Sequence, residues 1–250
     1  MIPSEDNLKV IELLNNLEVD LNNFSMKPIG IGKNNRTYLT YTHKKKYLAK
    51  FYFSSPKDQR NRLSNEYSFL KYVEEMGIVN VPHPIIKSDL YNLGIYEFIE
   101  GRAFLSSDIN EASILAAANF FSSINNSNNI KKAKQLNYAA DAFLDLNIYI
   151  NQIDERIFTL ERLISKQAQS SQANVFMRDL FHVWSKLKIN LKGHTSLIND
   201  NNTVCVSPSD FGFHNTLIKN DQLFFVDFEY AGRDDPAKAL ADFFIQPEIN

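Results

Sequence analysis

Carboxylate and amide side chains that could bind a metal ion are concentrated in one run, residues 206–230, VSPSDFGFHNTLIKNDQLFFVDFEY. In this run Asp210 and Asn215 are separated by four residues, and Asp227 follows an apolar stretch that we expect to be buried. An unpaired charge in such a setting is expensive, so Asp227 requires a compensating cation. Mg²⁺ shared with the Asn215 side chain would supply it, because this ion prefers oxygen ligands. Asp210 would then be the free carboxylate beside the metal, where it could accept a proton.

A short hairpin is predicted to present these residues. The pattern indicates a strand from Thr216 to Lys219, a tight turn at Asn220-Asp221 and an apolar strand from Leu223 to Val226. A D-x-x-x-x-N loop, followed by a strand and then D-F-x, is the order in which kinases carry their catalytic loop and their metal loop. Asp227 at the end of the hairpin makes this pattern more specific than D-x-x-x-x-N would be by itself.

The runs DFGFHN and VDFEYAGRDDPAKALADFF resemble the phosphotransferase family of aminoglycoside, choline and related small-molecule kinases. The DFEY run is most similar to choline and ethanolamine kinases, and the resemblance extends over roughly residues 30–242. It implies that Asp210 is the catalytic residue and that Asn215 and Asp227 bind Mg²⁺. One position departs from the family pattern, because Pro208 stands where relatives usually carry histidine, two residues before the aspartate.

From residue 28 onward the pattern predicts a glycine-containing loop followed by two antiparallel strands. Gly30, Gly32 and Asn35, with Tyr38, are similar to the loose G-x-x-N-x-x-Y pattern that opens the nucleotide lobe of small-molecule kinases. Glycines let backbone N–H groups approach a phosphate because no Cβ stands in the way. For G-x-G considered alone, a bend or bulge without any ligand is the favoured alternative. The resemblance implies that these residues contact ATP.

A lysine in a strand and a glutamate in the following helix are predicted to form a buried ion pair. Lys50 lies in the second strand, and a helix is predicted from about Lys57 to Met76. Within that helix Glu66 falls inside the apolar stripe instead of on the wet face. A carboxylate there needs a cation, for which Lys50 is the first candidate and a surface Arg or Lys at the edge of the stripe is the alternative. The resemblance implies that Lys50 binds the phosphates of ATP, with Glu66 as its acidic partner.

Two short strands are predicted beyond Pro84, over residues 85–87 and 93–99. In the resembling family this segment is the hinge, whose backbone groups hydrogen-bond adenine, and the resemblance implies that role for Glu97 and Ile99. Because backbone groups would make those bonds, the side chains carry little evidence. An ordinary connecting strand would have the same sequence pattern.

Two helices near the ends of the chain have recognisable start signals. Ser4 is expected to cap a leading helix. The apolar face of that helix would be formed by Leu8, Ile11, Leu14 and Leu17. Pro236 is expected in the first turn of a final helix, with Asp234 or Asp235 as its cap. The resemblance implies that an aspartate of this final helix braces the catalytic loop, and Asp242 is the candidate for that position.

Strands come first in the chain and helices afterwards, which indicates an α+β fold. Helices are predicted over residues 107–124, 153–164 and 175–187. The resemblance implies a protein-kinase-like fold of two lobes. Residues 1–101 would form the N-terminal lobe, an antiparallel sheet plus a helix, and residues 102–250 the mostly helical C-terminal lobe. Relatives generally continue with further helices, so we expect this chain to be short or its C-terminus to be incomplete.

Composition argues against several classes of function. The chain has 250 residues with 44% apolar side chains, enough for one domain or one two-lobed unit. Its net charge of -2 gives no electrostatic reason to expect nucleic acid or an anionic membrane as partner. No apolar run approaches the length of a membrane span and the N-terminus lacks the pattern of a secretion signal, so a cytoplasmic location is the default expectation. The single cysteine, Cys205, lies between two valines and is expected to be buried and unreactive.

These features together predict transfer of the ATP γ-phosphoryl group to a hydroxyl of a small molecule, such as choline or another amino alcohol, an aminoglycoside or a sugar. Only residues 228–235 separate Asp227 from Pro236, which is too short for the peptide platform of protein kinases. The alternative is a nucleotide-binding pseudokinase with a regulatory or interaction role, for which Pro208 is the best support. An interaction module without nucleotide would leave Glu66 and Asp227 without partners in apolar settings.

Overall fold

The computed structural model describes residues 4–30, 34–56, 58, 60–127, 129–143, 145–167, 171–193 and 204–246. Its internal contacts divide the chain into two compact units, one of Met1–Ala140 with Cys205–Asn250 and one of Asp141–Val204. The predicted lobes, residues 1–101 and 102–250, divide the chain at a different place from these units. The predicted boundary between the lobes stays a prediction. All residues predicted to carry the chemistry belong to the first unit.

Helix α1 (Glu5–Asn15) begins after Ser4, which caps it as predicted. The predicted apolar face is wrong, because Leu8 and Leu17 are exposed. Leu17 lies beyond the end of the helix, so the helical spacing does not reach it. The buried face has the i, i+3, i+4 spacing of a contact stripe and consists of Val10, Leu13 and Leu14.

Five antiparallel strands form the first sheet, in the order β1-β2-β3-β5-β4. The strands are β1 (Ser25–Pro28), β2 (Arg36–Tyr41), β3 (Lys46–Phe51), β4 (Pro84–Ser88) and β5 (Leu93–Glu97). Strands β2 to β5 confirm the predictions. Strand β1 is absent from them, because its four residues, SMKP, are too few for a clear periodic signal and end on a proline, which weakens a strand prediction.

Alternation along β3 separates the two faces of this sheet. Tyr47, Ala49 and Phe51 pack with α1 in one core cluster. Tyr52, just beyond β3, belongs to a second cluster on the opposite face, and Lys50 shares that face. Lys50 is therefore held inside the first unit, although a lysine in a strand usually faces solvent.

Helix α2 (Arg62–Glu75) carries Glu66 on its buried face. It begins after the cap residue Asn61, five residues later than the predicted start at about Lys57. A β-bridge between Ser55 and Asp58 occupies the chain ahead of the cap. The predicted apolar stripe is confirmed, with Leu63, Glu66, Leu70 and Val73 all buried.

Strand β6 (Arg102–Ala103) and helix α3 (Glu111–Ile124) follow in the first unit. The cap of this helix is Asn110 and not Ser107 or Asp108, which lie in a separate short helical turn. Among its described residues, the second unit contains helices α4 (Leu146–Gln167) and α5 (Ser171–Gly193), whose apolar side chains form a core of their own. No helix in the described part of the chain is long and apolar enough to cross a membrane.

The remaining elements complete the first unit. They are strands β7 (Cys205–Ser207), β8 (Thr216–Lys219), β9 (Gln222–Phe225) and β10 (Gly232–Asp234) and helix α6 (Pro236–Phe244). Strand β7 pairs with β10, and β8 lies between β6 and β9. Helix α6 has Asp235 as its cap and proline in its first turn, as predicted. These two small sheets bring the segment that carries Asp210 close to the one that carries Asp227.

Candidate active site

The hairpin predicted to present the metal ligands is present in the first unit. Strands β8 and β9 are joined at Asn220 and Asp221, both in the left-handed backbone region that suits a tight hairpin turn. Asp227 follows β9 and is also left-handed, with a φ of 67°, a conformation that costs a non-glycine residue roughly 1 kcal/mol. The Val226 N–H donates to the Asn215 carbonyl at 3.0 Å, so the backbone ties the two predicted metal-binding segments together.

Lys50 lies at the centre of a cluster of carboxylates. Its Nζ donates to Glu66 Oε2 at 2.7 Å and to Asp227 Oδ1 at 2.5 Å, and it lies 3.4 Å from Glu229 Oε2. The Lys50 side chain is only 5% exposed, whereas that of Asp227 is 43% exposed. The predicted pairing of Lys50 with Glu66 is confirmed, and the alternative of a surface partner for Glu66 is excluded.

Three carboxylates around one ammonium leave an excess of negative charge. Glu66, Asp227 and Glu229 can each offer one oxygen within 4.8 Å of the others. Burial would lower the pKa of Lys50, but the charges of the three carboxylates outweigh burial and raise that pKa well above its ordinary value. Lys50 therefore keeps its charge throughout the physiological range. Asp227 is the carboxylate of the three that is most open to solvent, and its oxygens are ligands of the kind that Mg²⁺ prefers.

Two buried tyrosines, which sequence reasoning missed, hold Glu66 in place. The Tyr52 hydroxyl donates to Glu66 Oε2 at 2.6 Å and lies 2.6 Å from the Tyr96 hydroxyl. The other carboxylate oxygen of Glu66 accepts from the Phe228 N–H at 3.3 Å. Burial raises the pKa of Glu66 against the opposing charge of Lys50, and burial also raises the pKa of each tyrosine. Both oxygens of Glu66 are therefore fixed, and the glutamate in turn holds the Lys50 ammonium group in a defined position.

Glu229 is a further functional candidate that sequence reasoning missed. Its side chain is buried, accepts a hydrogen bond from the Asn35 amide nitrogen and lies 3.4 Å from Arg62 Nε. Asn35 in turn accepts from the Phe53 N–H at 3.0 Å. Asn35 therefore connects the glycine loop to the segment that carries Asp227. The signal in the sequence was a second carboxylate, two residues after Asp227, in the same apolar run.

A cavity of about 400 Å³ brings most of the predicted site residues together. It is lined by Gly30, Asn35, Lys50, Glu66, Asp210 and Asp227, together with neighbouring side chains. Gly30 has a φ of +77°, a left-handed conformation that favours glycine. Gly32, the other predicted glycine, lies outside the described residues. Asn215 does not line the cavity, but its amide nitrogen donates to the Asp210 carbonyl at 2.9 Å, so its oxygen is the atom that could bind a cation.

The strand predicted over residues 93–99 as the hinge ends at Glu97 in the structure, and Ile99 lies two residues beyond it. The Glu97 N–H donates to the His83 carbonyl at 2.8 Å, and the Ile99 carbonyl accepts from the Gly101 N–H at 3.1 Å. Glu97 lines a different cavity, of about 960 Å³, and among the described residues neither Glu97 nor Ile99 lines the one that contains Lys50. Their predicted backbone contacts with adenine stay a prediction.

Asp210 stands in the loop between β7 and β8, with its side chain 51% exposed. One of its oxygens, Oδ1, lies 3.1 Å from His214 Nε2, and the other lies 3.4 Å from the Asn215 amide nitrogen. The hydrogen bond with His214, opposed by partial burial, lowers the pKa of Asp210 below its ordinary value. Asp210 is therefore ionised at neutral pH and open to the cavity.

The residue that braces the loop carrying Asp210 is not the predicted one. The Phe213 N–H donates to the side-chain oxygen of Gln246, a buried residue just beyond α6. Asp242, the predicted brace, instead accepts from Lys238 Nζ at 2.7 Å. Gln246 can reach the loop because it lies past the end of the helix, whereas Asp242 faces its neighbour one turn earlier on the same helix.

Solved structures of small-molecule kinases share this fold. Choline kinase LicA from Streptococcus pneumoniae aligns with a TM-score of 0.62 at 19% identity, over 99% of this chain and 76% of that one. Choline kinase from Cryptosporidium parvum Iowa II aligns with a TM-score of 0.60 at 15% identity, over 95% of this chain and 68% of that one. Spectinomycin phosphotransferase APH(9)-Ia, in complex with ADP and spectinomycin, gives 0.60 at 14% identity, over 97% and 74%. The predicted α+β, protein-kinase-like fold is confirmed.

Sequence comparison identifies the family within this fold. The model of the phosphotransferase enzyme family matches residues 25–245, and the chain belongs to that family. The family resemblance expected from the DFGFHN and DFEY runs is thereby confirmed. No curated protein sequence matches the chain.

Proposed function

We propose that this protein is an ATP-dependent phosphotransferase that moves the γ-phosphoryl group to a hydroxyl group of a small molecule. The observation that carries the proposal is the cavity of about 400 Å³, because Lys50, Asp210 and Asp227 all line it. A cation for the phosphates, a carboxylate for the metal and a carboxylate for the acceptor hydroxyl are the groups that phosphoryl transfer needs. Membership of the phosphotransferase family supports the same chemistry.

In this proposal the residues act by position and charge. Lys50 binds the α- and β-phosphates, and the backbone around Gly30 approaches them without a Cβ in the way. Asp227 and the side-chain oxygen of Asn215 would hold Mg²⁺, which would supply positive charge beside the phosphates. Asp210 accepts the proton of the acceptor hydroxyl and orients its oxygen towards the γ-phosphorus. As the new O–P bond forms, the bond from that phosphorus to the bridging oxygen of ATP breaks, and ADP leaves with the bond electrons.

The nucleotide base is proposed to bind beside the strand β5, through the backbone groups of Glu97 and Ile99. Leu48, Pro82 and Tyr96 line the neighbouring part of the cavity. An apolar and aromatic lining of this kind suits a purine ring. ATP is abundant in the cytoplasm, and a cytoplasmic location is part of this proposal.

The short segment after Asp227 favours a small acceptor over a protein. Only residues 228–235 precede α6, and none of them is serine or threonine. The one hydroxyl-bearing residue, Tyr230, packs under cationic side chains, with Arg60 and Arg62 at 5.3 and 5.6 Å from its ring centre. A segment so short and so packed offers neither a platform for peptides nor an activating phosphosite. Choline or another amino alcohol, an aminoglycoside and a sugar are the acceptor classes that the family suggests.

The test is incubation of the purified protein with ATP labelled in its γ-phosphate. One reaction contains a pool of amino alcohols, amino sugars and sugars, and a second contains generic protein substrates. We expect the label to appear in a small molecule and not in added protein. Label in the protein substrates alone would contradict the proposal.

Asp210→Asn is the matched control variant for this experiment. The substitution keeps the size of the side chain but removes the proton acceptor, so transfer should fall by a factor of about 100 or more. Affinity for ATP should stay within about threefold of wild type, because the phosphate contacts are untouched. If wild-type protein binds ATP but transfers no phosphoryl group, the protein is a nucleotide-binding pseudokinase, the alternative that Pro208 favours.

A further inference from the structure

The His214 side chain lies close to the backbone of the catalytic loop at Gly212. A Cβ placed on Gly212 would lie 2.8 Å from His214 Nδ1 and would also collide with the Gln246 side chain. The φ of Gly212 is -176°, which any residue can adopt, so it is the space taken by these two side chains and not backbone conformation that favours glycine at this position. The imidazole therefore folds back over the loop, with about a quarter of the side chain (26%) exposed to solvent.

This packing brings the imidazole to Asp210. His214 Nε2 lies 3.1 Å from Asp210 Oδ1, and the side chains of His214 and Asp210 are 26% and 51% exposed. An imidazole that carries a proton on Nε2 donates this hydrogen bond in either charge state. The second contact of the carboxylate, from Oδ2 to the Asn215 amide nitrogen, is long at 3.4 Å. Asp210 is thus held firmly through one oxygen and only weakly through the other.

We infer that His214 is a positioning residue that fixes the rotamer of Asp210, so that the second carboxylate oxygen faces the acceptor hydroxyl. The inference rests on the proposed function, in which Asp210 is the catalytic residue. An exposed aspartate without such a contact would occupy several rotamers, and only some of them would direct an oxygen at the acceptor. Small errors in the placement of a catalytic group are costly, because the reacting atoms must be held in a near-attack geometry.

The experiment compares His214→Leu with His214→Gln in steady-state kinetics, using the acceptor found in the labelling experiment. Leucine removes the donor. Glutamine keeps an N–H donor at a similar distance from the backbone. We expect His214→Leu to lower kcat by roughly 10- to 100-fold while the KM for ATP stays within about twofold. We expect His214→Gln to retain kcat within about threefold of wild type.

His43→Leu is the matched control, because His43 is an exposed histidine in the turn between β2 and β3 of the same unit. It should leave kcat and KM unchanged. If His214→Leu does not unfold cooperatively on heating, His214→Ala is measured in its place. Either variant removes the donor.

Each outcome decides the inference. Loss of kcat in the leucine variant with rescue by glutamine supports it. Equal activity of wild type and both variants overturns it and leaves the proposed function standing. Equal loss in both variants also overturns it, because the hydrogen-bond donor would then not be the cause. Absence of transfer in wild type with every acceptor defeats the proposed function and, with it, this role of His214.

Discussion

At the scale of single residues, Asp227 combines a strained backbone with a charge that is partly open to solvent. Its φ of 67° is unusual for a residue with a side chain, and both neighbours are pinned. The Val226 N–H bonds to the Asn215 carbonyl, and the Phe228 N–H bonds to Glu66. Strain of this kind persists only where surrounding structure imposes it, often where function needs a particular side-chain direction. The backbone therefore directs the Asp227 carboxylate towards Lys50 and the cavity.

Cys205 provides a residue-scale test of burial in the strand that leads to the catalytic loop. Burial raises the pKa of its thiol to about 12, so at pH 8 roughly one thiol in ten thousand is ionised. Because the thiolate is the reactive form, we expect native protein to resist alkylation by iodoacetamide at pH 8. Protein unfolded in guanidinium should react rapidly and take up one label, because the chain has one cysteine. Fast labelling of native protein would show that strand β7 is not packed as described.

Some of these residues could be predicted from sequence and others could not, for a physical reason. Glu66 was found because it interrupts an apolar stripe, where a charge must have a partner. The role of Glu229 depends on Asn35, which is 194 positions away, and Gln246 reaches the loop at Phe213 from 33 positions away. Contacts over such separations leave no periodic signal in the sequence. The same holds for the hydrogen bond between Tyr52 and Tyr96.

At the scale of elements, the accuracy of prediction follows the strength of the local signal. The β8–β9 hairpin was predicted well, because a two-residue turn and an apolar run fix it locally. The prediction of the buried face of α1 was wrong. The predicted and the observed apolar stripes both contain Leu14, and only tertiary packing selects which of the two is buried. The start of α2 was wrong because several polar residues precede it and the cap, Asn61, competes with them. Where the local sequence allows more than one helix start or buried face, tertiary contacts determine which one forms.

The link between β3 and α2 gives an element-scale prediction. Lys50 and Glu66 form a buried pair, so their effects on ATP binding should depend on each other. A double-mutant cycle with Lys50→Met and Glu66→Gln, measured by isothermal titration calorimetry with Mg·ATP, should show a coupling of about 1 kcal/mol or more. Strict additivity would place Glu66 outside the phosphate-binding arrangement.

A second ion pair on α2 is the matched control for this cycle. Lys71 Nζ lies 2.9 Å from Glu74 Oε2, with both side chains about one-third or more exposed. Surface pairs of this kind are worth little, typically about 0–1 kcal/mol in stability. A cycle with Lys71→Met and Glu74→Gln should therefore show coupling near zero in ATP binding. Similar coupling for both pairs would mean that the method reports general stability and not the site.

At the scale of the whole molecule, all the proposed chemistry lies in one of the two compact units. That unit is assembled from both ends of the chain, Met1–Ala140 and Cys205–Asn250, while Asp141–Val204 forms a unit with its own apolar core. The order of motifs along the sequence could be predicted, and with it the family. The division into units depends on long-range packing, which the sequence pattern does not record.

The central claim is that the first unit binds Mg·ATP through Asp227, and thermal unfolding tests it without knowledge of the acceptor. A ligand that binds only the folded state stabilises it by about 2.7 kcal/mol at roughly 100 times its Kd. Wild-type protein with ATP should therefore melt several degrees higher when Mg²⁺ is added than without it. Asp227→Ala should lose this Mg²⁺-dependent increase, whereas Asp89→Ala, at an exposed acidic residue of the same unit, should keep it. A full Mg²⁺-dependent increase in Asp227→Ala would contradict the account and place the metal elsewhere.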